Sequence, residues 1–185
     1  MTPDSPEAVR RPPHPLALEL IERLRDRPGA PILEIGAGSG RNTRALVAAG
    51  LRVCRPPGDG PCAAALTTHA LLHGTPRSLE HELTMIADSL EAGAPLFGTF
   101  GSTRDARYQT GRLVEPHVYA PEDGDERGVA HAYFDATRLR ELLVPRFDIE
   151  SMCEVDVDEV AGTWAHQTAP LRDAVHWFVI ATKRA

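Results

Sequence analysis

Cysteine is scarce in this chain and nowhere clustered. Cys54, Cys62 and Cys153 stand alone with no C-x-x-C pair, which argues against a zinc knuckle or a disulfide framework and leaves buried free thiols as the expectation. No apolar run approaches the roughly 18 residues of a membrane helix, and the N-terminus lacks the apolar core of a signal peptide. A soluble, cytoplasmic protein is expected. Positive charge is short as well: 20 Lys and Arg against 26 Asp and Glu leave a net charge of −6. Nothing global therefore draws the chain to nucleic acid or to an anionic membrane. A small molecule or another protein is the expected partner.

What the chain does have is enough length, 185 residues, to bury one core of ordinary size. Residues 1–15 hold five prolines among several charges and read as a flexible lead-in. Residues 16–185 form the domain. Leu16, Leu20, Ile21 and Leu24 recur at helical spacing before a Pro28-Gly29 stop. Pro31 then opens the apolar run Ile32-Leu33-Glu34-Ile35, a strand buried on both faces. Gly36, Gly38 and Gly40 follow at alternate positions, Asn42 to Ala49 has helix-forming character, and Gly50 sits at a helix stop.

Strand, glycine turn and helix in that order favour a nucleotide-like ligand. Glycines permit positive φ and let a ligand lie on the main chain, while the first N–H groups of the helix attract polar or negative groups. A dinucleotide fingerprint would require glycine at 41, where Arg41 stands.

Further along, Leu51 to Cys54 predicts a short strand, 55–61 is turn chemistry, and Cys62 to Thr68 predicts a strand whose alanines would also permit a helix. Thr75-Pro76 starts a helix through Leu90, Pro95 to Phe100 is a strand, and Gly101 to Ala132 reads as a long functional or disordered loop. Asp135 caps a last helix ending before Pro145. Phe147 to Val157 and Ala174 to Thr182 are two β segments that can pair as an antiparallel edge. Trp164 and Trp177 are packing residues, the latter on that edge. The alternation predicts a doubly wound α/β sheet with its ligand at the carboxyl ends of the strands.

Glu34, Gly36, Gly38 and Gly40 together form E-x-G-x-G-x-G, which resembles the first motif of class I S-adenosylmethionine (SAM)-dependent methyltransferases. Thr67 to His73 resembles that family's segment after its fourth strand, and Leu90-x-x-Gly93-Ala94-Pro95-Leu96 its lead into a fifth. Gly40-Arg41-Asn42-Thr43 and Gly128 to Phe134 are similar to small-molecule enzymes of the tellurite-resistance type. The resemblance implies a Rossmann-like, mostly parallel sheet with helices on its faces. It implies SAM as cofactor, held by Glu34, Gly36, Ala37, Gly38, Ser39, Gly40, Asn42, Thr43, Thr68 and His69, and a small-molecule methyl acceptor. His131, His69 or Tyr119 would serve as base.

The chain departs from that family between its second and fourth strands, where only seven residues remain. Their reach of about 25 Å admits no helix, so the sheet is expected to lack the third strand and its neighbouring helices. The family's ribose-binding acid after the second strand is replaced by Cys54-Arg55-Pro56-Pro57, with Asp59 the only substitute nearby. Losing that charge-assisted pair costs about 1.5–3 kcal/mol, which leaves weak cofactor binding, or none, open. A silent binding or scaffold protein is the alternative to an enzyme, and a homodimer covering the shortened flank is a further expectation. His69 and His73 stand at i and i+4, and a third ligand could come from His117 or His131. Solvated or cofactor-lining histidines are nonetheless the expectation, with no metal. Glu122 to Glu126 reads as a solvated acidic loop.

Overall fold

The computed structural model describes residues 12–54, 60–157 and 173–184. In chain order they form α1 (Pro15–Arg23), β1 (Pro31–Ile35), α2 (Arg41–Ala48), β2 (Arg52–Cys54), β3 (Ala64–Thr67), α3 (Pro76–Ser89) and β4 (Pro95–Ser102). There follow β5 (Arg112–Glu115), β6 (Val118–Ala120), β7 (His131–Phe134), α4 (Ala136–Leu143), β8 (Phe147–Asp156) and β9 (Val175–Lys183). The first eleven residues of the expected lead-in, Asp59 and Trp164 lie outside the described residues.

β2, β1, β3 and β4 lie side by side and parallel. β9 then pairs antiparallel with β4, and β8 with β9. Successive side chains on a strand point to opposite faces, and the core divides accordingly. Ile32, Leu66, Phe97 and Ile180 pack with Leu16 and Leu20 of α1 and Leu46 of α2. Leu33, Ala65, Leu96 and Val179 pack with Leu79 and Leu83 of α3 and Leu139 of α4. Both faces of the sheet are covered, which explains why β3 is short, alanine-rich and fully buried. The α/β architecture is the one expected.

Local chemistry ends the helices where the sequence suggests. Thr75 and Ser78 form a capping box at the start of α3, and the Asp135 carboxylate accepts the Arg138 N–H at the start of α4. α1 stops at Arg23, earlier than the apolar spacing suggests, and tight turns carry the chain on to Gly29.

Four expectations need correction. The segment 101–132 is no plain loop: β4 continues to Ser102, and β5, β6 and β7 build an antiparallel ribbon whose last strand joins the end of β4. β9 is an interior strand, so Trp177 is buried away from the edge, its indole N–H donating to the Phe134 carbonyl at 2.8 Å. Cys153 is exposed on edge strand β8, whereas Cys54 and Cys62 are buried. No helix spans 69–73, so His69 and His73 do not share a helical face.

Candidate active site at the glycine turn

β1 and β3 are neighbours, but the chain leaves β1 for β2 on one side and returns to β3 on the other. Their carboxyl ends therefore part at the point where α/β folds bind ligands. The glycine turn lies there. At Gly36, φ is +71° and a Cβ would stand 2.7 Å from the Ala70 Cβ, so both conformation and space require glycine. At Gly38 a Cβ would meet nothing closer than 3.8 Å, which leaves the main chain open to a ligand. Ala37 and Ser39 are exposed beside it. Gly40, in the left-handed region, begins α2 with no side-chain cap, so the first N–H groups of that helix are not satisfied by one.

A cavity of about 350 Å³, in the range of small-molecule pockets, is lined by Gly36, Gly38, Thr68 and His69, and also by His73, Arg107, Glu126 and His176. His69 holds a left-handed backbone at φ +61° and donates its N–H to the Thr99 hydroxyl at 2.8 Å. Such strain in a residue with a side chain concentrates at functional sites.

The other motif residues divide by role. Glu34 is buried; one carboxylate oxygen accepts from the Thr43 hydroxyl, and the other has no partner among the described residues. Burial raises its pKa, the Thr43 contacts opposing the shift. Both ends of the Asn42 amide are occupied: Oδ1 accepts the His14 N–H at 2.8 Å and Nδ2 donates to the Thr68 hydroxyl at 3.0 Å. Asn42 thus ties the start of α1 to the end of β3, a structural role next to the cavity. His131 and Tyr119 do not line the cavity. His131 is buried behind Glu126, and Tyr119 packs with Tyr108 and Tyr133 at ring distances of 5.6 and 6.3 Å. Of the three candidate bases, His69 alone is among the lining residues.

Three contributors are not marked as site residues by the sequence, and a fourth, Arg107, belongs to the long segment expected to be functional or disordered. His14, inside the proline-rich lead-in, is fully buried and caps α1. His176 interrupts the apolar run of β9. Arg107 makes a two-pronged ion pair with buried Asp105, at 2.8 Å for each oxygen. Glu126 is the inward-facing end of the acidic run, while 122–125 are exposed as expected. A polar residue within an apolar strand was the one available signal, and it pointed to His176.

No protein-family model and no curated protein sequence matches the chain. Solved structures do. A SAM-dependent methyltransferase from Methanosarcina mazei superposes with a TM-score of 0.66 at 16% identity, over 89% of this chain and 97% of that one. The 1,6-didemethyltoxoflavin-N1-methyltransferase of Burkholderia thailandensis, solved with 1,6-didemethyltoxoflavin and S-adenosylhomocysteine, gives 0.65 at 20% identity, over 96% and 79%. The chain has the class I methyltransferase fold. A third structure of this fold, the cyclase SpnF, gives 0.54 at 15% identity, over 90% and 81%. Likeness at these identities shows the fold alone, and the chemistry has to be argued from the site.

Proposed function

We propose that the chain is a SAM-dependent methyltransferase acting on a small molecule, of the kind that the Gly40 to Thr43 turn resembles. The observation that carries this reading is the cavity lined by Gly36 and Gly38, where the main chain of Gly38 is left open to a ligand. Glu34, buried at the end of β1 just before the turn and with one carboxylate oxygen unpaired among the described residues, is assigned to the amino-acid end of the cofactor. SAM supplies an electrophilic methyl group when bound. His69, on the cavity wall, takes the acceptor's proton on an imidazole nitrogen. Holding the reacting groups in line contributes most of the acceleration, and the base a further 10²–10⁴-fold.

Titration calorimetry with S-adenosylhomocysteine tests the reading. Heat of binding in the wild type, lost in Gly38→Val, supports it; no heat at millimolar ligand refutes it. His69→Gln is expected to lower kcat while leaving the affinity for S-adenosylhomocysteine unchanged.

A second reading, binding without methyl transfer, draws on two observations. β2 ends in the buried thiol Cys54 rather than in an acid, and SpnF, a cyclase, has the same fold. Turnover of SAM against a panel of small acceptors separates the two. The homodimer remains part of the proposal: β2 is the outer strand on its side among the described residues, and light scattering reads the mass.

A further inference from the structure

His131 is held at both ring nitrogens. Nδ1 lies 2.9 Å from the Val129 carbonyl, which can only accept, so Nδ1 carries a proton. Nε2 lies 3.0 Å from a carboxylate oxygen of Glu126. In the neutral ring that nitrogen holds a lone pair, and two acceptors then face each other inside the protein, the His131 side chain being 3% exposed. A positive centre has to stand between them, either a second proton or a metal ion.

The surroundings favour a metal. The other Glu126 oxygen lies 3.3 Å from Nε2 of His73, so one carboxylate and two imidazoles converge, with all three ligand atoms within 4.8 Å of one another. Ligand atoms around a tetrahedral ion with bonds of 2.0–2.1 Å stand about 3.3 Å apart, the separation of His73 Nε2 from one Glu126 oxygen, while His131 Nε2 lies 3.0 Å from the other oxygen of the same carboxylate. A carbonyl bond to the far ring nitrogen is the usual way to orient a metal-binding histidine. The three residues come from separate segments pinned by the main chain. His73 and His131 form a bridge, Ala132 N–H donates to the Leu72 carbonyl at 2.8 Å, and Val129 N–H to the Glu126 carbonyl at 3.0 Å. His73 and Glu126 also line the cavity, where a further coordination position would open.

We propose that His73, Glu126 and His131 bind a divalent first-row transition-metal ion, with zinc as the reference case for two histidines and one carboxylate. The open position faces the cavity and takes a lone pair of the small molecule held there. That last step rests on the methyltransferase reading; metal binding does not. It also reverses the expectation from sequence that these histidines hold no metal.

The test uses the full chain without a histidine tag, stripped with EDTA and titrated with Zn²⁺ alone against a chelating dye. One zinc per chain is expected. His131→Ala and Glu126→Gln are expected to weaken binding by at least about 100-fold, while His81→Ala, on the exposed face of α3, leaves it unchanged. Circular dichroism and thermal melting identify any variant that fails to fold, and Co²⁺ absorption in the wild type reports coordination independently of the variants. Wild-type affinity no higher than that of folded Glu126→Gln, or a Co²⁺ spectrum matching the free aqueous ion, overturns the proposal. Neither readout depends on SAM, so a failure here is distinguishable from a failure of the methyltransferase reading.

Discussion

Arg107 donates from its guanidinium to Nε2 of His176 at 2.9 Å. A guanidinium can only donate, so this nitrogen accepts and the His176 ring is neutral, with its proton on Nδ1. His14 reaches the same state by another route: its Nδ1 accepts the Leu16 N–H at 3.1 Å. The two neutral rings flank His69, with ring centroids 5.7 Å from His14 and 5.1 Å from His176.

Acid should therefore destabilise the fold early. Burial, then His69 and Arg41, lowers the His14 pKa to about 2, and burial, then His69 and Arg107, places His176 well below its ordinary value. In the unfolded chain both histidines take up a proton near pH 6.5. Below that pH the unfolded state binds more protons, so stability is lost progressively as pH falls from about 6.5 toward the folded values, and is flat above it. Each group contributes at most about 1.4 kcal/mol per pH unit. His14→Asn keeps an acceptor for the helix start and removes one share of the slope. Urea unfolding at several pH values measures it; a slope unchanged by the substitution would contradict the burial argument.

Glu34→Gln should act in opposite directions on binding and on stability. The raised pKa shows that burial disfavours the charge, so its removal leaves the melting temperature unchanged or higher. If the free carboxylate oxygen takes the ammonium group of the cofactor, losing a charge-assisted bond of about 1.5–3 kcal/mol weakens binding roughly 10- to 100-fold. Calorimetry and thermal melting on the same preparation decide this. Unaltered affinity together with a lower melting point would remove Glu34 from the binding site.

Native thiol titration should count one reactive cysteine. Cys153 is exposed on β8, while Cys54 and Cys62 are buried at 2% and 3% exposure. All three should react once the chain is unfolded in denaturant. Two fast thiols in the native protein would mean that β2 or the segment before β3 opens readily.

The parts of the fold legible in the sequence are those whose causes are local. A bounded apolar run makes β1, glycines at 36, 38 and 40 make the turn, and Thr75 and Asp135 start α3 and α4. The ribbon of β5, β6 and β7 was not legible. Its strands are three or four residues long, β5 is mostly exposed without alternation, and the ribbon depends on Gly101 meeting the distant Ala132 carbonyl, which a Cβ there would approach to 2.5 Å. The buried histidines were hidden for a related reason. Nothing near His14 in sequence shows that Asn42 and Phe178 will enclose it. Likewise Glu126 departs from the solvated run 122–125 only because the turn brings it to His73 and His131.

Gly36 and Gly38 offer the sharpest separation of folding from binding, because the two share positive φ but differ in surroundings. In Gly36→Ala the new methyl meets Ala70 at 2.7 Å, and neither the backbone of the turn nor that of the 68–70 segment can yield without moving a strand end. Strain in φ of about 1–3 kcal/mol adds to the overlap, so Gly36→Ala should lower the melting temperature by several degrees or more. In Gly38→Ala the methyl meets nothing closer than 3.8 Å. Only the φ strain remains, yet the methyl projects from a residue lining the cavity. Gly38→Ala should therefore melt closer to the wild type than Gly36→Ala while losing more affinity for S-adenosylhomocysteine than its stability change explains. If both variants lost stability equally and Gly38→Ala bound as the wild type does, the turn would be a packing feature and the ligand would lie elsewhere.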